Sequence, residues 1–139
     1  NDSDPMDCEG HGTSVASVAA GRPYAWSSVT RFAGGVAPDA GILAFLERKR
    51  DAARQDPSWI DRQRSKVDAG IEALARELGG KAYLRGDSMS LGDVACACAL
   101  LWLEFRLPEI AWRSRHAELE RWIARLEARP SFARTRPPA

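Results

Sequence analysis

From Val94 to Leu103 the chain reads VACACALLWL, with no charge between Asp93 and Glu104. Extended to Leu91–Leu107 the segment is LGDVACACALLWLEFRL. A helix built from it is apolar on all sides, so it is expected at the centre of a domain with neighbours covering every face. Its start is specified by local chemistry. Ser90 can cap the N–H of Asp93, and Asp93 can reach back to the N–H of Ser90. Met89 and Val94 occupy the two positions of a hydrophobic staple across that start. Pro108 ends the helix.

The neighbours of this helix are legible on both sides. Ile42, Leu43, Phe45 and Leu46, followed by Ala52 and Ala53, predict an amphipathic helix ending before Pro57. Asp56-Pro57 opens the next, with proline placed where its missing N–H costs least. Ile60, Val67, Ile71, Leu74 and Leu78 then form one stripe, and Gly79-Gly80 supplies a C-terminal stop. A last helix runs from about His116 to Arg129 with Leu119, Trp122, Ile123 and Leu126 on its inner face. Arg125 and Arg129 complement its dipole, and Pro130 stops it. The fold class is therefore all-α, a bundle of about five helices over residues 39–139.

Residues 1–38 read differently. They are rich in Gly, Pro, Ser and Asp; Phe32–Pro38 (FAGGVAP) reads as loop, and only Thr13–Ala20 suits a short helix. About forty such residues cannot bury enough apolar surface to fold alone, so a poorly structured leader without its own core is expected. Charge also divides there: −2 over residues 1–38 and +3 over the rest, for a net of +1. That balance implies neither a nucleic-acid partner nor an acidic one. No apolar run approaches the ~20 residues that span a bilayer, and no basic segment leads into an apolar one as in a signal peptide. The sparse cysteines Cys8, Cys96 and Cys98 argue against a disulfide framework and read as small apolar core residues in a reduced compartment. No metal-ligand cluster is visible.

The stretch Gly86-Asp87-Ser88-Met89-Ser90-Leu91-Gly92-Asp93 resembles the G-x-x-x-[ST]-x-x-D segment that caps the buried central helix of glutathione S-transferase C-terminal domains. Trp59, Trp112-Arg113 and the closing Arg129-Pro130-Ser131-Phe132 with Thr135 sit where that family has similar residues. The resemblance spans about residues 39–139. It implies that Ser90 and Asp93 serve folding, not chemistry. In that family glutathione is the co-substrate, bound mainly by a thioredoxin-like domain that supplies the sulfur-activating Ser, Tyr or Cys. Residues 1–38 carry no such pattern. The helical domain contributes a wall for a hydrophobic small molecule, and Ile42, Phe45 and Leu46 are the candidates here; core packing is their alternative role. Arg48-Lys49-Arg50 reads as a solvated face and His116 as a surface or capping residue.

The leader carries a second resemblance. Asp7–Ala16 (DCEGHGTSVA) is similar to the D-x-x-G-H-G-T-x-V-A motif around the general base of subtilisin-like serine proteases, and Gly34–Ala40 (GGVAPDA) resembles a later V-A-P-x-A stretch. His11 then stands at the base position. Its aspartate and serine partners have no counterpart, since a triad draws its members from separate elements. Ser14 is the variable position of the histidine motif, not a nucleophile.

These readings imply a cytoplasmic chain related to an enzyme family, with no complete active site, no cofactor of its own and no membrane or nucleic-acid partner. Its expected partners are a hydrophobic small molecule and either a second copy or a separate thioredoxin-like domain. The alternatives are a helical protein-interaction module and a fragment of a subtilisin-like endopeptidase.

Overall fold

Residues 36–136 are described by a computed structural model of the chain. Among them the architecture is all-helical: α1 Val36–Lys49, α2 Pro57–Leu78, α3 Leu91–Arg106, α4 Trp112–Arg115, α5 Ala117–Glu127 and α6 Pro130–Arg134. Short 3-10 turns stand at Ala52–Arg54 and Pro108–Ile110. The one departure from helix and loop is an isolated antiparallel bridge between Tyr83 and Gly86.

α2 follows the sequence closely. Asp56 is its N-cap and accepts a hydrogen bond from the Trp59 N–H at 3.1 Å, with Pro57 at the first helical position. Val67, Ile71, Leu74 and Leu78 are buried, and Gly79 closes the helix in the left-handed region at φ 50°.

The first helix differs at both ends from the expectation. It begins at Val36, so Val36–Pro38 are helical rather than loop, and Ala37, Pro38, Ala40 and Gly41 are buried. Pro38 lies in the first turn, where an N–H has no intrahelical partner to lose. The small residues permit close approach: a Cβ on Gly41 would lie 2.6 Å from Leu103 Cδ2 of α3. At the other end α1 stops at Lys49, and Ala52 and Ala53 are exposed in the 3-10 turn. The Gln55 side chain donates to the carbonyls of Arg48 and Arg50 at 3.2 and 2.8 Å. Those bonds satisfy groups that a further turn of helix would have used.

Ser90 and Asp93 form a capping box at the start of α3. Asp93 is fully buried and accepts from the Ser90 N–H at 2.8 Å, the Ser90 hydroxyl at 2.6 Å and the Leu84 N–H at 2.8 Å. The last of these ties the Tyr83–Gly86 turn to the helix. Cys96, Ala97, Leu100 and Leu103 face the core.

The expectation that α3 is covered on every side is not met. Leu91 and Phe105 are 57% and 48% exposed, and Cys98 is exposed as well. The other helices of the described unit pack against one side of it. Cys96, by contrast, is buried as expected.

Beyond α3 the chain turns through Ala111 at φ 48°, a left-handed conformation that costs a residue with a Cβ about 1 kcal/mol or more. Trp112 is then buried and donates its indole N–H to the Leu100 carbonyl at 3.2 Å. α5 buries Leu119, Trp122, Ile123 and Leu126. Pro130 both stops α5 and opens α6.

Candidate functional site

The first candidate surface lies on α1. Ile42, Phe45 and Leu46 are all half-buried, and Leu43 beside them is 42% exposed. Phe45 packs against the core and meets Trp102 of α3 edge-on, with ring centroids 6.4 Å apart and planes at 71°. Two cations flank the same ring: Lys49 Nζ at 5.2 Å and the Arg106 guanidinium at 5.5 Å from its centroid. Phe45 thus packs against the core while part of its ring stays exposed. Arg48, Lys49 and Arg50 are exposed; Arg48 pairs with Glu109, and Arg50 pairs with Glu47 at 3.0 Å.

The second candidate is a cleft of about 450 Å³ between the C-terminal half of α2 and the start of α5. Glu72, Arg76, Arg115, His116, Glu118 and Arg121 contribute its polar side chains. His116 corrects the reading as a surface residue: it is only 7% exposed, because the α4–α5 corner folds it against α2. It stands at the N-cap position of α5 without a side-chain capping bond. Its Nε2 is 3.9 Å from Glu72 and its Nδ1 is 3.7 Å from Glu118, both beyond hydrogen-bond reach. Arg115 is engaged by Asp68 at 2.6 Å. Neither carboxylate of this polar cleft is close enough to orient the imidazole as a general base.

A third cluster centres on Arg113. Arg113 bonds Glu104 at 2.6 Å, Glu120 at 2.5 Å and Glu127 at 3.0 Å, and stacks 4.7 Å from the Trp112 ring. The hydrogen bonds that it donates to Glu104, and then to the other two carboxylates, hold its pKa above the ordinary arginine value. The only local signal is the acidic spacing of Glu120 and Glu127 along one helix face. The cluster staples the end of α3 to α5 and presents no free group for chemistry.

Neither described cysteine is poised as a thiolate. Burial, with the Asp93 carboxylate nearby, pushes the Cys96 thiol up to about 12, and partial burial raises that of Cys98. Among the described residues no His, Cys, Asp or Glu cluster suits a metal ion, and no helix is long and apolar enough to cross a membrane. His11, Ser14 and Cys8 lie outside the described residues.

Residues 57–125 match the family described as "Glutathione S-transferase, C-terminal domain". The uncharacterized GST-like protein YibF of Escherichia coli is 35% identical over 100 residues, covering 72% of this chain and 49% of YibF. A solved glutathione S-transferase from Methylobacterium radiotolerans, in complex with glutathione sulfonate, superposes with a TM-score of 0.69 at 35% identity. That superposition covers 99% of this chain and 57% of the other. The chain thus spans about half the length of these two proteins. A different relative, Mycosin-1 of Mycolicibacterium smegmatis, is 32% identical over 94 residues, covering 65% of this chain and 20% of Mycosin-1.

Proposed function

With residues 57–125 matching the glutathione S-transferase C-terminal domain and the chain GST-like in sequence and fold, we propose that its helical unit is the co-substrate half of a glutathione S-transferase-like protein. The thiol-activating groups would belong to a thioredoxin-like domain, whose sequence pattern residues 1–38 do not carry. The observation that carries this reading is the 57% coverage of the glutathione sulfonate-bound relative. The raised thiols of Cys96 and Cys98 are consistent with it, because neither offers a nucleophile of its own. Ile42, Phe45 and Leu46 form the wall for a hydrophobic electrophile, with Phe45 at its centre.

Three measurements test this. Immobilised glutathione should fail to retain the chain, and conjugation of a chromogenic electrophile should not exceed the uncatalysed rate. A hydrophobic electrophile should still quench tryptophan fluorescence, since Trp102 lies beside Phe45. Phe45→Ala should weaken that quenching by about threefold to tenfold, which corresponds to the loss of one aromatic contact. Turnover by the wild-type chain would overturn the assignment of chemistry to another domain. Unchanged quenching in Phe45→Ala would overturn the wall.

For the leader, we propose an origin in the histidine segment of a subtilisin-like protease, with His11 inactive for want of partners. A partial similarity to the Subtilisin-like protease SBT1.6 of Arabidopsis thaliana, 32% identical over 80 residues, supports this. A serine-directed active-site probe should leave the chain unlabelled, and stoichiometric labelling at Ser14 would refute it.

A second reading, a helical interaction module, is favoured by one feature: the uncovered face of α3.

A further inference from the structure

The cleft between α2 and α5 takes no part in the function proposed above. Helix α5 opens onto it without a side-chain cap. Its first intrahelical bond runs from the Glu120 N–H to the His116 carbonyl at 3.0 Å. The N–H groups of Ala117, Glu118 and Leu119 therefore have no acceptor within the helix. They also carry the positive end of the dipole of an 11-residue helix. Across the cleft, beyond the end of α2, Gly80 is exposed and its N–H makes no backbone hydrogen bond. A Cβ on Gly80 would meet nothing within 4 Å, so that amide faces open space.

The side chains add charge of the same sign. Arg76 of α2 and Arg121 of α5 line the cleft from its two walls, and both are exposed. Neither forms an ion pair among the described residues, whereas Arg115 is taken up by Asp68. His116 is the observation that points to a ligand. Its side chain is only 8% exposed, lines the cleft, and makes no hydrogen bond among the described residues. A buried imidazole without a partner is costly, and a group bound in the cleft would remove that cost. Two carboxylates oppose these donors. Glu72 is 59% exposed and remains solvated, while Glu118 stands closer to the imidazole, at 3.7 Å from Nδ1.

We propose that this cleft binds the phosphate group of a small phosphate monoester. The N–H groups at the start of α5 and the His116 imidazole donate to its oxygens, and Arg76 and Arg121 close on it from either side. Helix N-termini bind anions through the same combination of free N–H groups and dipole. A carboxylate offers two oxygens, fewer than the donors assembled here, whereas a phosphate monoester presents three. The cleft, at about 450 Å³, also leaves room for the organic part of the ester.

The test is a titration of the nitrogen-15-labelled full chain with inorganic phosphate, followed by NMR at constant ionic strength set with chloride. The amides of Gly80, Ala117, Glu118 and Leu119 should shift together and saturate. Arg76→Gln and Arg121→Gln should each raise the dissociation constant about fivefold to tenfold. Arg134→Gln makes the same change of charge on α6, outside the cleft, and should alter it less than about twofold. His116→Phe fills the corner without a nitrogen and should weaken binding about tenfold. Glu118→Gln should act in the opposite direction and tighten it about threefold, because it removes a like charge beside the site. Acetate should bind at least about tenfold more weakly than phosphate, and glycerol phosphate should bind at least as well as phosphate. Shifts that do not saturate, or that spread over basic residues outside the cleft, would overturn the proposal. So would equal losses in Arg134→Gln and Arg76→Gln, or weaker binding in Glu118→Gln. Acetate binding as tightly as phosphate would overturn the choice of phosphate, and exclusion of glycerol phosphate would overturn the monoester.

Discussion

Asp93 and His116 are both buried polar residues at helix starts, and their surroundings are opposite. Asp93, at the start of α3, accepts three hydrogen bonds, two from Ser90 and one from the Leu84 N–H. The His116 side chain, at the start of α5, makes none among the described residues and has carboxylates only at 3.7 and 3.9 Å. Burial of a polar group is tolerated when partners replace water, so the first site is built to hold its residue. The second leaves the imidazole with its bonding capacity unspent and open to the cleft beside it. Equal burial thus accompanies one residue that organises its surroundings and another that fills a corner.

Substitutions test that contrast from both sides. Asp93→Ala should have the largest effect, a loss of about 3 kcal/mol in chemical denaturation, because it removes a helix cap and leaves the buried Leu84 and half-buried Ser90 donors unpaired. Asp93→Asn keeps the acceptor oxygen and should cost about half as much. A loss below about 1 kcal/mol for Asp93→Ala would dissolve the contrast from one side. His116→Gln removes no hydrogen bond, so its stability should stay within about 1 kcal/mol of wild type. A much larger loss would show that the imidazole is bonded after all and dissolve it from the other side.

The smallest effect is expected at Asp56, the exposed cap of α2. The Ser58 hydroxyl, then the Trp59 N–H, hold its carboxyl below the ordinary aspartate range. A carboxyl depressed in the folded state contributes stability above its unfolded pKa and loses it as pH falls through the folded value. Asp56→Asn should therefore lower the melting temperature slightly at neutral pH and leave it unchanged in strong acid. Equal lowering at both pH values would separate the effect from ionisation.

What could be read from the sequence was what depends on neighbours a few residues away. The stripe of α2, the stop at Gly79 and the pairing of Ser90 with Asp93 all follow from spacing along one element. The start of α1 did not, because a Gly- and Pro-containing segment becomes helical through contacts such as Gly41 against Leu103, 62 positions away in the chain. His116 looked like a surface residue because its burial depends on how α4 and α5 fold against α2. The uniform apolarity of α3 concealed the most, since a helix without polar residues gives no indication of which side its own domain covers. Of the candidate wall, the aromatic and its neighbours were legible as a group on α1. That Phe45 would be shared between Trp102 and two cations was not.

The three carboxylates around Arg113 have a consequence for cooperativity. They come from the last turn of α3 and from both ends of α5, so neither helix end can leave the corner without parting the guanidinium from at least one of them. Native-state hydrogen exchange should find the amides of the end of α3 and of α5 released together, as one unit of local unfolding. Raised salt should weaken that unit by screening its partly exposed ion pairs.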